Sequence, residues 1–432
     1  MQDYPDVTTT ASGFRNILTA LRHRDFAIFT YTHFPGLVFM WAQRIGVGWL
    51  AWSLTHSPSW LGLIAMADLL PAVLLAPVAG ALADRMSVIR LLMISEAFLV
   101  VYATILWLLT LTGIIDIWIL FGFAIVLGCN HPFGNAGRAN MTPLLVPQAE
   151  LGPAIALNSI SFNLARSAGP AIAGALIAAT NSVNWLFALF GAGEAVLVIG
   201  LCFFRTKAQP RMRQGGGFPG MVRDVRAGFG YTLTHAGIGP ILLLLIFGAI
   251  TSRPSIELLP GFADQIFARG AEGLGWLGAA VGIGGILGSI WLGWRGGITG
   301  LVKVVVLHTF LMGVGLFGFG IAGNFWIALL FLALVGWSLN VAGVGTQTLL
   351  QWSVDPAMRG RVMSIFMLIF RGVPALGALL IGTAAEFLGL QWAVAAAGAL
   401  CATGCILAYR RRATMSEHLE KPGGKSEDAG RG

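Results

Sequence analysis

Apolar residues in this chain come in long runs from end to end, each followed by a short polar break. Each run is close to the ~20 residues that a helix needs to cross hydrocarbon. Reading runs and breaks together predicts twelve spans. The first six are Phe26–Leu54, Ser59–Ala83, Leu91–Thr112, Asp116–Gly137, Ala154–Ala179 and Val183–Phe204. The second six are Ile238–Phe262, Gly273–Trp294, Leu301–Ala322, Phe325–Leu350, Val362–Phe387 and Leu390–Tyr409. The expected architecture is an all-α membrane protein.

The longest internal hydrophilic stretch, 205–237, divides the spans six and six. This gives an N-terminal segment (1–25), a six-helix bundle (26–204), a linker (205–237), a second six-helix bundle (238–409) and a disordered tail (410–432) that is basic, then rich in Glu, Gly and Lys. The two bundles carry a trace of duplication. The segment LLVPQAELGPAIALNSISFNLARSAGPAIAGALI from Leu144 resembles LLQWSVDPAMRGRVMSIFMLIFRGVPALGALLIG from Leu349. Ser159 aligns with Ser364 and Arg166 with Arg371; after a one-residue gap, Pro170 aligns with Pro374. At the α-helical rise, Arg166 is ~18 Å and Arg371 ~15 Å from the start of its span, near mid-membrane. Repeats with polar groups at the midplane are how many secondary transporters are built.

Composition agrees, with 56% apolar and only 11% charged residues, where a soluble chain has roughly 25% charged. The net charge of +8 raises the possibility of nucleic-acid binding, but the distribution of the 27 Lys and Arg removes it. All but five lie in the N-terminus, the tail and alternate loops or, for Lys303, at the edge of a span next to such a loop; Arg269 is in the other loops, and Arg44, Arg166, Arg253 and Arg371 are deep inside spans. The positive-inside rule then puts both termini in the cytoplasm, and no nucleic-acid partner is needed. No cleavable signal pattern precedes Phe26. Cys129, Cys202, Cys401 and Cys405 sit in apolar helix and are expected as free thiols. Two isolated thiols make a poor metal site, so neither metal nor cofactor is expected. Trp49, Trp52, Trp60, Trp118, Trp185, Trp276, Trp326 and Trp392 fall near the periplasmic ends, as an interfacial belt would.

The stretch GALADRMSVIR from Gly80 resembles the loop motif of the major facilitator superfamily, with Gly80, Asp84 and Arg85 matching and Arg90 one place late. The resemblance implies a cytoplasmic latch. At the equivalent place in the second half, GSIWLGWR from Gly288, Leu292 replaces the acid, so the latch is expected on one side only. The fifth span resembles the superfamily's antiporter motif at Ala156, Ala165, Gly169, Pro170, Ala173 and Gly174. Every position is small, which permits close helix approach, and Pro170 bends the helix. The fourth-span arginine of proton antiporters has no match; Arg138 stands at that helix's cytoplasmic end. Over nearly the whole chain the phrases LRHRDFAIF, FGNAGRANMTPLLVP and RGRVMSIF look like the siderophore-exporter and drug–proton antiporter branch of that superfamily. The implied fold is two pseudo-symmetric six-helix bundles, and the implied location the bacterial inner membrane.

A charge at the bilayer centre costs several kcal/mol and is usually paired and functional. Arg44 and Asp68 lie equally far from the turn at His56, so an ion pair is expected between them. Arg253 and Glu257 are spaced i, i+4 on one helix face, beside Pro254 and Pro260, which disturb that helix. These pairs are either structural locks or proton carriers; Asp68 and Glu257 are the carrier candidates, with Glu194, deep in a span expected to support from outside, as a third. Arg166 and Arg371 have no evident acid and either reach backbone carbonyls or Asn163, or face a path for an anionic or carbonyl-rich molecule. His131, beside Pro132, is either a titrating group or packing at a bend.

The expected function is a secondary transporter, monomeric in the lipid bilayer, exporting a small organic molecule by alternating access, with proton antiport. Uptake symport or uncoupled facilitation is the alternative within transport. An enzyme or sensor lacks support: there is no HExxH, no ATP-type phosphate loop and no sizeable extramembrane domain.

Overall fold

A computed structural model of the chain describes residues 18–205, 229–232 and 234–421. Its long helices are α1 (Arg24–Thr55), α2 (Pro58–Arg85), α3 (Val88–Leu111), α4 (Ile117–Leu145), α5 (Leu151–Thr180) and α6 (Asn184–Cys202). After the linker come α7 (Ile238–Glu257), α8 (Gly270–Arg295), α9 (Leu301–Ile321), α10 (Phe325–Ser353), α11 (Pro356–Leu388) and α12 (Leu390–Tyr409). Ten of them are long and apolar enough to cross a membrane. The other two, α1 and α5, run 32 and 30 residues. Arg24, Asp25 and Arg44 dilute the hydropathy of α1, and Asn158, Asn163 and Arg166 that of α5.

Several helices start where a side chain can accept from free N–H groups. Asp116 accepts from Ile119 N at 2.7 Å for α4, and Asn324 from Trp326 N at 2.9 Å for α10. Around the two prolines, α7 ends at Glu257 and the chain continues through short turns, Leu259–Gly261 and Phe262–Ile266. The expected span to Phe262 is therefore interrupted there.

Helix pairing repeats between the halves. α2 packs on α4, α1 on α6, α3 on α6 and α1 on α5; equivalently α8 packs on α10, α7 on α12, α9 on α12 and α7 on α11. Two seams join the halves, α5 against α8 and α2 against α11. Both are built from small residues near the face that carries the turns at His56 and Gly389, the loop face. A Cβ on Gly174 would come within 2.6 Å of Gly275 Cα, and one on Gly278 within 2.7 Å of Pro170 Cβ. A Cβ on Gly62 would overlap the carbonyl oxygen of Ala378, and one on Gly382 would lie 2.8 Å from Pro58 O. The small positions Ala165, Gly169, Pro170, Ala173 and Gly174 of α5 are all buried. Gly169 faces α1, where its Cβ would meet Trp41 at 2.5 Å, while Gly174 faces the other half.

Polar contacts reinforce the loop face. Ser57 Oγ donates to Glu386 Oε2 at 2.7 Å and Ser59 N to the same oxygen at 3.2 Å. Trp52 is 2% exposed, and its indole N–H donates to Asp264 Oδ2 at 2.9 Å. This corrects its place in the aromatic belt: it is a bond between halves. Trp118, Trp185, Trp326 and Trp392 are exposed.

The opposite, terminal face carries the start of α1 and a short helix α13 (Arg412–Leu419). The tail expected to be disordered from 410 is thus ordered at least to residue 421. Met415 and Leu419 are buried, and Glu420 accepts from Gly300 N at 2.8 Å and Val302 N at 3.0 Å, capping the start of α9. Positions 1–17, 206–228 and 422–432, which hold most of the expected N-terminal segment, linker and tail end, lie outside the described residues.

Overpacking a tight contact costs about 1–3 kcal/mol, a roughly 5- to 150-fold shift in an equilibrium. A Gly62→Val chain is expected to lose loop-face closure by that factor. The measurement is cross-linking of a Ser57→Cys/Glu386→Cys pair, efficient with Gly62 and weak with valine.

Candidate functional site

Between the halves lies a cavity of about 270 Å³. α1 contributes Trp41 and Arg44, α5 Phe162 and Arg166, α7 Arg253 and Glu257, α10 Asn340 and Gln347, and α11 Phe366 and Phe370. A smaller cavity of about 100 Å³ adjoins it inside the first half, lined by Asp68, Tyr102 and His131 and sharing Arg44 and Glu257 with the first.

Arg44 stands between the two. Its Nη1 bonds Asp68 Oδ2 at 3.4 Å, the pair expected from equal depth. Its Nη2 bonds Glu257 Oε1, on the other half. The intrahelical Arg253–Glu257 pair is therefore a correction: no ion pair within 4 Å joins them, and Glu257, at the broken end of α7, turns across the cavity to Arg44. Arg253 instead lies over the Phe370 ring, its Cζ 5.7 Å from the centroid. Asp68 has a second partner, His131 Nε2, 3.1 Å from Oδ1. His131 thus belongs to the charge cluster and is more than packing beside Pro132.

Arg166 lies over Trp41 at 5.9 Å and donates from Nη1 to Asn340 Oδ1 at 3.5 Å, another link between halves. It does not reach Asn163, whose amide donates to Ser159 O at 2.8 Å away from the cavity. Trp41 Nε1 and Asn340 Nδ2 are buried without a hydrogen-bond partner. Among the described residues the cavity wall carries three guanidinium groups against one carboxylate that Arg44 already holds. Such a wall fits a ligand with several acceptor oxygens and net negative charge.

The repeat does not bring Arg166 and Arg371 together. Arg371 lines a different cavity of about 420 Å³ in the terminal half of the first bundle, with His33, Arg138 and Glu194. Glu194 is 2% exposed and faces inward, and its helix α6 packs on α1 and α3 of its own half. One reading is corrected there. Arg138 is not a shallow end residue; it pairs through Nη1 with Oε1 of Glu96, which is fully buried. Glu96 is not among the sequence candidates because its partner Arg138 lies just past the expected end of the fourth span at Gly137, whereas α4 runs on to Leu145. Its signal was a lone acid in the apolar run from Leu91.

At the latch, Asp84, Arg85 and Arg90 are exposed, and none is in an ion pair among the described residues. A Cβ on Gly80 would meet open space. No group of three or more metal-ligating side chains is found among the described residues.

Comparisons with known proteins agree with this architecture. The family profile described as "Transmembrane secretion effector" matches residues 16–425. The staphyloferrin A transporter of Staphylococcus aureus (strain NCTC 8325 / PS 47) is 27% identical over 354 residues, 81% of this chain and 87% of that protein. The enterobactin exporter EntS of Shigella boydii serotype 18 is 30% identical over 245 residues, 56% of each chain. Among solved structures, the nucleoside transporter NupG aligns with a TM-score of 0.68 at 12% identity, covering 90% of this chain and all but 1% of that one at 99%. A bacterial homolog of the human lysosomal transporter Spinster, in an inward-facing and unoccupied conformation, aligns with a TM-score of 0.70 at 12% identity, over 92% and 98% of the two chains. These structural likenesses concern the fold alone. The paired six-helix arrangement, the apolar helices and the family profile agree: this chain is a membrane transporter that belongs to the transmembrane secretion effector family of the major facilitator superfamily.

Proposed function

We propose that this chain exports a small, anionic organic molecule of siderophore type by alternating access, in exchange for protons. The donor-rich wall of the central cavity carries this reading. Arg44, Arg166 and Arg253 surround a space in which, among the described residues, Glu257 is the only carboxylate. The aromatic walls Trp41, Phe162, Phe366 and Phe370 suit a planar or ring-bearing ligand. The two sequence relatives are a staphyloferrin A transporter and an enterobactin exporter, which supports the class without selecting a member.

The loop face is closed by the glycine seams and by Trp52–Asp264 and Ser57–Glu386, and the latch at Asp84 is disengaged on the terminal face. The basic distribution puts the terminal face in the cytoplasm, so the cavity in this conformation serves loading from inside the cell. Rocking the halves must break Arg44–Glu257 and Arg166–Asn340, both of which span them. A proton on Asp68 or Glu257 weakens the hold on Arg44, and an anionic ligand competes for the same guanidinium. Either event frees the halves to move. A single copy contains the whole cavity, so a monomer suffices.

A hydrogen bond to a charged group is worth about 1.5–3 kcal/mol, or roughly 10- to 100-fold in binding. In inside-out vesicles with an imposed pH gradient, using iron-free enterobactin and staphyloferrin A as probes, Arg166→Ala is expected to lower uptake by that factor. Arg166→Lys keeps the charge but loses the planar fork and should fall between. Equal uptake by both variants and the unmodified chain would remove Arg166 from the ligand path; uptake into right-side-out vesicles alone would reverse the direction.

Asp68→Asn and Glu257→Gln are expected to abolish gradient-driven flux while leaving probe exchange without a gradient. If both keep gradient-driven flux, the coupling acids lie elsewhere.

A further inference from the structure

Away from the central cavity, the terminal half of the first bundle buries two glutamates beside one arginine. Glu96 on α3 is fully buried and Glu194 on α6 nearly so. Arg138 on α4 holds Glu96 through Nη1, and its Nη2 bonds Asn135 Oδ1 at 3.3 Å. The helices of the two glutamates pack together, α3 on α6, and Arg138, which holds Glu96, lines the same cavity as Glu194. In each glutamate, Oε2 is buried with no partner. Glu194 packs against α1 where Gly36 has no side chain; a Cβ there would lie 3.0 Å from its Oε1. The ionisable groups facing this pair are His33 from α1, Arg138 and His131 from α4, and Arg371 from α11 across the cavity of about 420 Å³. The buried Nδ1 of His33 is itself unpartnered, and its ring stacks on Phe29 at 5.3 Å.

An ionised carboxylate only accepts hydrogen bonds. Two of them in contact therefore cannot bond to each other, and in a low-dielectric interior their like charges repel. Arg138 offsets one negative charge. Among the described residues no second cation is ion-paired with the two, and an uncompensated buried charge costs several kcal/mol. One proton removes both difficulties: it lowers the charge of the cluster to balance and supplies the donor that the orphaned Oε2 atoms lack.

We propose that Glu96 and Glu194 share a single proton at the α3–α6 contact, forming a proton-binding site separate from the substrate cavity. The site opens to the same cavity as Arg371, the one cation lining it that belongs to the other half. When the proton leaves the carboxyl O–H for water entering from the terminal side, Arg371, which faces the pair across that cavity, offsets the carboxylate left behind. The proton then moves toward the terminal side as the exported ligand enters from it, and His131 separates the pair from Asp68. The charge on Arg371 replaces the charge of the proton, so the net charge of the cluster stays constant. This gives the second copy of the repeated arginine a role distinct from that of the first. The coupling role rests on the transport reading above; the shared proton does not.

Infrared difference spectroscopy of the purified full-length chain in lipid nanodiscs tests the site without any transport assay. A carbonyl-stretch band of a protonated carboxyl is expected at neutral pH in the unmodified protein. Glu194→Gln and Glu96→Gln should each remove it, because either leaves a single carboxylate balanced by Arg138, whereas Asp68→Asn should retain it. Absence of the band in the unmodified chain overturns the proposal, and needs no variant to fold. Persistence of the band in both glutamine variants overturns it equally. If the band behaves as expected but Glu194→Gln leaves gradient-driven probe flux unchanged, the shared proton stands and its coupling role falls.

Discussion

A single guanidinium, that of Arg44, is divided between a carboxylate of its own half and one of the other, Asp68 and Glu257. Much else in the middle of the molecule follows from that division. Burying an arginine requires partners, and the partners chosen fix the rotation of α1 against α2 and the approach of α7. Glu257 can reach across only because α7 stops at that residue, with Pro254 and Pro260 on either side of the break. Asp68, relieved of sole responsibility for Arg44, is free to meet His131 on its other oxygen. The result is a short chain of charges that crosses from one half to the other at mid-depth.

Helix pairing repeats between the two halves, whereas the charges are placed differently in each. Arg166 sits in the central cavity over Trp41, while its repeat partner Arg371 lines the terminal cavity with Glu194. The packing scheme kept its symmetry because it depends on small residues and helix faces. Polar positions are under no such constraint; each is tied to whichever opposite charge the two-fold arrangement brings near.

Much of the fold could be read from hydropathy, because in hydrocarbon every backbone group must be satisfied within its helix and length alone limits a span. Arg44–Asp68 could also be read, since antiparallel neighbours joined by a tight turn place equal sequence distances at equal depth. The Arg44–Glu257 bond could not: it joins residues 213 apart, and no local rule sets the rotation of α7 against α1. Arg253 and Glu257 both lie within α7, but an arginine N-terminal to the acid is the weaker i, i+4 orientation, and Arg44 from the other half takes the carboxylate. Glu96 was in plain view as a lone acid, but its value depends on Arg138 reaching back along α4. The tail helix was hidden for a different reason. Its composition is polar, and only the backbone amides of Gly300 and Val302 give Glu420 something to hold.

The glycine seams have a mechanical consequence. Where α2 meets α11 at Gly62 and Gly382, and α5 meets α8 at Gly174 and Gly275, backbone touches backbone without intervening side chains. Dispersion between such surfaces decays within an ångström of separation, so a slightly parted seam retains little of its attraction. At the glycine contacts themselves no long side chain is placed to stretch and keep partial hold, and the Ser57–Glu386 hydrogen bond beside them is direct. The joint is brittle, and it favours an all-or-none response over a graded one. A conveyor that must never expose its cargo route to both compartments at once gains from a seal that cannot linger half open.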